Sequence, residues 1–379
     1  MRPENSPYWS RFVSSLLPYI PGEQPKEGKF IKLNTNENPY PPSPRVIDAL
    51  QRAADDRLRL YPEPSSSVMR EAVAARWRVK PEQVFCGNGS DEILAFAFAA
   101  FFEARDSSSN NRVEPLLFPR VSYSFYPVYA ALWNRPCKAI PLDRDFFIDP
   151  EDYKRVCGGV IMPNPNAPTG RALDREALAG IARAQEQNRK IFIIDEAYIA
   201  FASGSNIGSM IPFIDDHPNL LVIRTLSKEA SLAGLRSGFA VGSEELVEGL
   251  CRVRDSFNSY TMDRLAQAAS AAAISDALYY DEINRRVCHT RDRTAGSLSY
   301  LGFRVIPSQA NFIFVSPPAP RNGALLNTGR FCASLRERGI LVRHFRQPEI
   351  EKYLRVSIGT DEDMDRFLDA CKDIIRNEI

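Results

Sequence analysis

Histidine is scarce, cysteines are unpaired and long hydrophobic runs are missing, and each absence removes a class of function. Three histidines, His217, His289 and His344, lie far apart in 379 residues, so no histidine-rich metal centre is expected. Seven cysteines (86, 137, 157, 251, 288, 332 and 371) form no CxxC pair. An odd, dispersed set reads as reduced thiols of a cytosolic protein, with neither a disulfide framework nor a zinc site. There is no excess of charge: 48 Lys and Arg face 47 Asp and Glu. A general nucleic-acid or acidic-membrane partner needs a basic surplus and is not expected. The greasiest run, Ile93 to Phe102 between Glu92 and Glu103, is too short to span a bilayer and reads as a buried helix. The opening MRPENSPYWSRF carries charges and prolines in place of the apolar core of a signal peptide, so a cytoplasmic location is expected.

What is present is an alternation. Residues 1–45 are proline-rich without long periodic segments and read as an arm that packs on another part of the chain; the polar tract 107–111 reads as a surface loop. From about residue 85, short apolar runs alternate with helical patterns: Leu116-Leu117-Phe118, Val160-Ile161-Met162, Ile191 to Ile194, Leu220 to Ile223 and Phe239-Ala240-Val241. Asp174 to Asn188 has helical spacing between the second and third of these. Continuous apolar strands separated by helices indicate an α/β fold with a mostly parallel sheet covered on both faces. After about residue 245 the pattern changes. One long helix is expected over Asp263 to Ser299, then strands at 303–306, 311–315, 340–342 and 353–358, a helix near 330–338 and a last helix from Asp361, an α+β second unit. The division is an arm (1–45), a large domain (46–265) and a small one (266–379).

Ligands of open parallel sheets gather beyond the carboxyl ends of the strands, and three such ends carry unusual polar groups. Asp195 closes the strand in IIDEAY, with Tyr198 three residues on. A buried aspartate there is costly unless paired; a helix cap or a structural ion pair would also account for it. Lys228 follows the next strand in TLSK. It is either a solvated loop lysine or, in a partly buried setting, an amine that forms a Schiff base with a carbonyl cofactor. Thr225 and Ser227 offer hydroxyls to an anion, and Arg236 a bidentate fork for phosphate. Gly89, Ser90 and Asp91 in CGNGSDE open a helix and present free N–H groups, a phosphate cradle in form, although such turns and caps are common without any ligand. One ligand satisfies all three: a phosphate, an electrophilic carbonyl and a basic nitrogen, as in pyridoxal 5'-phosphate.

These residues resemble those of fold type I pyridoxal-phosphate aminotransferases over nearly the whole chain, and within them the histidinol-phosphate branch. The resemblance is carried by LLPYIPG (16–22), LNTNENPYPPSP (33–44), LYPEP (60–64), GNGSDE (87–92), SYSFYPVYA (122–130), PNPNAPTG (163–170), IIDEAYIAF (193–201), TLSK with LAGLR (225–236) and YLRVSIGT (353–360). It implies a large domain with a mostly parallel seven-stranded sheet plus a smaller α+β domain, and pyridoxal 5'-phosphate as cofactor. Lys228 would be the Schiff-base lysine and proton shuttle; Asp195 would pair with the ring nitrogen, and Tyr198 with the ring hydroxyl. Tyr123 would stack on the ring. Arg355, with Arg343, would grip the donor's carboxylate and the acceptor's phosphate. Tyr19 would close over substrate, and Asn38 belongs to the substrate-binding set. Tyr61 and Tyr260 would reach a neighbouring subunit's site, implying a homodimer.

The chain departs from the family at two places. Ala167 stands where the family has the asparagine before Pro-Thr-Gly, so its part passes to Asn166. Glu229 follows the lysine where a small residue is usual. The implied reaction is transamination between histidinol phosphate and 2-oxoglutarate, with a small-molecule amino donor and a phosphorylated keto acceptor. An aromatic aminotransferase or a threonine-phosphate decarboxylase would share the scaffold. A cofactor-fold ligand sensor is the non-enzymatic alternative, disfavoured because lysine, aspartate and arginine are all present.

Overall fold

A computed structural model of the chain describes residues 6–19, 22–25, 30–105, 113–319 and 327–378. The tract 107–111 and positions 20 and 21 of LLPYIPG lie outside the described residues.

Among the described residues, twelve strands form two sheets. The larger contains β2 (Val84–Gly87), β3 (Leu116–Pro119), β4 (Cys137–Ile140), β5 (Val160–Pro163), β6 (Phe192–Asp195), β7 (Leu220–Thr225) and β8 (Gly238–Val241), in the order β2-β8-β7-β6-β5-β3-β4. Only β8 runs against its neighbours. The fold class expected from the alternating runs is therefore the observed one. β3, β5, β6 and β7 are buried along their whole length, the two-sided burial that makes a strand continuously apolar. Side chains on one face join Met162, Phe192, Ile194, Val222 and Phe239 to one core; those on the other join Ile161, Ile193, Leu221 and Ile223 to a second.

The smaller sheet contains β1 (Ile31–Leu33), β9 (Arg304–Ile306), β10 (Phe312–Ser316), β11 (Ile340–His344) and β12 (Leu354–Ser357), in the order β1-β11-β12-β10-β9. β1 pairs in parallel with β11, and the other pairings are antiparallel. A third core, including Phe303, Ile313, Phe331 and Phe367, lies under this sheet.

The single helix expected over Asp263 to Ser299 is two: Arg264–Ser275 and Ala277–Tyr300, broken at Asp276. Aspartate competes with the helical backbone for hydrogen bonds and favours helix ends. The break lets the first helix pack on Pro44–Ala53 and Ser67–Trp77 while the second runs on to the C-terminal helix Asp361–Glu378. The apolar helix expected from Ile93 begins earlier, at Ser90, with Gly89 as its N-cap at φ 81°. Its first N–H groups thereby fall at the carboxyl end of β2.

Because β8 is reversed, its start lies on the same edge of the sheet as the ends of β2, β5, β6 and β7. Gly238, its first residue, faces backbone on both sides: a Cβ there would meet Ser90 N at 2.7 Å and Arg224 O at 2.9 Å. The turn at Gly89–Ser90 and the β7 end are held this close only because position 238 has no side chain.

Phe239, the next residue, is fully buried and packs on Trp77 with ring centroids 5.0 Å apart. Phe239→Ala should cost about 3–5 kcal/mol in denaturant unfolding, through lost apolar burial and the cavity left behind. A loss under about 1 kcal/mol would show that this region collapses freely around the deletion.

Candidate active site

A cavity of about 180 Å³ lies where the carboxyl edge of the larger sheet faces the smaller one. The ends of β2, β3, β5, β6 and β7 all deliver residues to it. Ser90 and Asp91 come from the helix after β2, and Tyr123 from the turn after β3. Pro163 and Ala167 come from β5 and beyond, and Asp195, Ala197 and Tyr198 from β6 and its end. Thr225, Ser227 and Lys228 follow β7, and Arg236 precedes β8. The opposite wall is Tyr19, Gly22, Asn34, Thr35 and Asn36, with Arg343 of β11 and Arg355 of β12.

Lys228 occupies a single helical turn, Leu226–Glu229, whose N-cap is Thr225: its hydroxyl accepts from Ser227 N at 3.1 Å. The half-buried amine donates to Thr35 O at 3.1 Å. Burial, helped by the Arg355 guanidinium, lowers it from 10.5 to about 8. Asp195 is buried at the last position of β6. It accepts from Tyr126 Oη at 3.2 Å and from Ala197 N at 3.2 Å. Burial outweighs both bonds and raises its carboxyl from 3.8 to about 7.

Tyr198 Oη accepts from Asn36 Nδ2 at 3.0 Å, and burial raises the phenol. Tyr123 donates to Asp91 Oδ1 at 2.6 Å and is shifted upward by burial and then by that carboxylate. Asp91 Oδ2 also takes Arg236 Nη2 at 3.0 Å. Arg236 holds a left-handed backbone, φ 50°, unusual for a side chain of that size, and its Nη1 lies 3.4 Å from Ser227 Oγ. Ser90, Ser227, Thr225 and Arg236 thus face one end of the cavity with hydroxyls, a guanidinium and a helix N-terminus, a donor set suited to a dianion.

The opposite wall is cationic. Arg343 and Arg355 are direct cross-strand partners. Like charges opposite each other destabilise a sheet, and two that line one cavity make an anion site. Arg355 Nη2 donates to Asn34 O at 2.9 Å, its Nε has no partner among the described residues, and burial lowers its pKa.

Five of the residues named from the sequence do not line this cavity. Gly89 lies just behind it, where a Cβ would meet Arg236 Nη2 at 2.8 Å. Asn166 is fully buried; its amide donates to Val121 O and Thr169 Oγ1, each at 2.9 Å, and Ala167 is the lining residue. Asn38 turns its amide to Lys228 O at 3.0 Å and to Asn284 Oδ1 at 3.1 Å. Tyr61 and Tyr260 stack on each other away from the cavity, centroids 4.7 Å apart, with Tyr61 79% exposed. Conversely, Asn34, Thr35 and Asn36 belong to the wall, and Tyr126 to Asp195, without having been singled out. The quoted stretches contained all four, but two act through backbone carbonyls that no residue type announces.

The chain belongs to the aminotransferase class I and II family, whose model matches residues 28–371. It is 49% identical over 372 residues to histidinol-phosphate aminotransferase 1 of Bordetella parapertussis, covering 97% of this chain and 99% of that one. It is 47% identical over 371 residues to the histidinol-phosphate aminotransferase of Clostridium acetobutylicum, covering 98% and 99%. In fold it matches the crystal structure of histidinol-phosphate aminotransferase from Sinorhizobium meliloti in complex with pyridoxal-5'-phosphate, with TM-score 0.86, 23% identity and 99% of each chain covered.

The carboxyl of Asp195, raised from 3.8 to about 7, favours folding while it stays protonated, and that contribution fades as pH climbs from about 4 through 7. Asp195→Asn carries no such dependence. In thermal melts of cofactor-free protein, the variant should gain on the parent between about pH 4 and pH 7 and level off above that; a constant difference across this window would contradict the raised pKa.

Proposed function

We propose that this chain is a pyridoxal 5'-phosphate-dependent transaminase that interconverts histidinol phosphate and 2-oxoglutarate with imidazole acetol phosphate and L-glutamate. The observation that carries this reading is one cavity holding a half-buried lysine amine lowered to about 8, a buried carboxylate across from it and two cross-strand arginines.

The residues present fit the cofactor. Asp195 accepts only a phenol and one backbone N–H, so a cationic ring nitrogen beside it would supply the missing counter-charge. Ser90, Thr225, Ser227 and Arg236, with Asp91 and the turn at Gly89, would hold the phosphate; Tyr123 would cover the ring face; Tyr198 would approach the ring hydroxyl, with Asn166 set behind the lining residue Ala167. When bound, the cofactor supplies an electron sink for the charge released at the substrate's α-carbon. Lys228 Nζ is the group that moves protons: about 8 leaves part of it unprotonated at neutral pH, so it can take the α-proton and later return one. Arg343 and Arg355 bind the carboxylate of glutamate and, in its turn, the phosphate of the other substrate; a guanidinium fork suits both anions. Tyr19 completes the substrate side, while Asn38 bears on it only through its hold on the Lys228 carbonyl. Identity of 47–50% to four histidinol-phosphate aminotransferases supports this substrate pair over aromatic amino acids or threonine phosphate.

The same reading keeps the division at 1–45, 46–265 and 266–379. It makes the enzyme a homodimer in which the exposed Tyr61 and Tyr260 serve the other subunit's site. It also places the enzyme in the cytoplasm; among the described residues no helix is long and apolar enough to cross a membrane.

Purified protein in its amine-loaded form should react with imidazole acetol phosphate much faster than with phenylpyruvate. Lys228→Ala should lower turnover by about 10³-fold or more, the scale of a lost proton-transfer group. Preference for phenylpyruvate, or CO2 released from threonine phosphate, would reassign the substrate within the same scaffold.

A further inference from the structure

Glu229 follows Lys228 directly but turns away from the cavity. Its carboxylate pairs with Arg224, which is 6% exposed. The Arg224 guanidinium lies 5.0 Å from the Trp77 ring centroid, and it also faces the buried Glu196, the neighbour of Asp195. Asn284 Nδ2, on helix Ala277–Tyr300, donates to Glu229 O at 3.1 Å. Asn38 Nδ2 donates to Lys228 O at 3.0 Å, and the two asparagines bond each other at 3.1 Å. The turn that carries Lys228 is therefore gripped from behind by an ion pair and an amide bracket.

Two physical arguments give this grip a purpose. A four-residue helix cannot hold its own shape, because nucleation costs more than one turn of hydrogen bonds returns. A buried ion pair is rarely better for stability than apolar side chains of the same volume. Such a pair placed on the turn of Lys228 fixes geometry more than it adds stability. A second cavity, of about 180 Å³, opens on this far side, with Trp77, Arg224, Glu229, Tyr280 and Asn284 in its wall.

We propose that Glu229 is a positioning residue: clamped by Arg224 and Asn284, it fixes the Lys228 turn from the side opposite the active site, so that the amine meets the cofactor's aldehyde. This rests on the reading of Lys228 given above. Of the phosphate cradle, Ser227 and its partner Thr225 share this turn, whereas Asp91, Arg236 and Tyr123 hold one another and Asp195 is held by Tyr126 and Ala197, so the side chain of Glu229 bears on the Lys228 turn and leaves the rest of the cavity to other residues.

The affinity of the full-length chain for two forms of the cofactor tests it, read by intrinsic fluorescence. The aldehyde form bonds to the Lys228 amine; the amine form uses every other contact but not that bond. Glu229→Ala should weaken the aldehyde form about tenfold more than the amine form, the scale of one lost charged hydrogen bond. Glu229→Gln, which keeps the shape and loses the charge, should show the same bias to a smaller degree and serves if the alanine variant does not fold. Acetate at tens of millimolar, entering the enlarged second cavity beside Arg224, should restore the aldehyde affinity of Glu229→Ala. Equal weakening of both forms, or no weakening of either, would overturn the proposal. Lys228→Ala reports separately on the cofactor reading: it must itself abolish the preference for the aldehyde form.

Discussion

Withdrawal of charge from water is the term on which the site depends. One effect, burial, moves two groups of opposite type toward the same range: the Lys228 amine down to about 8 and the Asp195 carboxyl up to about 7. Burial is the first cause of both, and the Arg355 guanidinium adds to the shift of the lysine. Both follow from the sheet, because strands covered on both faces deliver their terminal residues into a crevice with little solvent. The stability given up at these two positions is small beside what the fully buried strands β5, β6 and β7 contribute on both faces.

The smaller sheet closes that crevice and contributes its own chemistry. Asn36 joins the two layers: its amide donates to Tyr198, while Ser357 of β12 donates to its side-chain oxygen at 2.9 Å. Thr35 and Asn34, beside it, offer backbone oxygens to Lys228 and Arg355. A three-residue stretch next to β1 therefore sets the distance between the amine and the cationic wall. Arg343 and Arg355 remain side by side because the sheet register leaves them no alternative. Their mutual repulsion is relieved when an anion lies between them.

The parts legible in the sequence are those where one residue type signals one physical need. Runs such as Ile191 to Ile194 mark buried strands, and a lysine or aspartate directly after one is conspicuous because burial there is costly. β4 escaped notice because it is an edge strand with two exposed positions and no apolar run. The break at Asp276 was missed because one aspartate does not interrupt the helical spacing, and the departure from helix lies in its backbone, φ −99° and ψ 49°. Thr35 acts through its carbonyl, Tyr126 is indistinguishable in sequence from a core tyrosine, and the Arg343–Arg355 pairing exists only once β11 and β12 are in register. Asn38 reads as a polar residue awaiting a ligand, but a backbone carbonyl 190 positions away has claimed its amide.

The bond between Asp91 and Arg236 has a consequence for how an anion is admitted. Both side chains are open to solvent, 40% and 46% exposed, and a pair in that setting is worth only about 0–1 kcal/mol. The guanidinium is thus held on a weak acceptor at the cavity wall. For an anion arriving there, capture would be a swap of one acceptor for a better one, with the long side chain already ordered, and release would retrace it without leaving a bare cation behind.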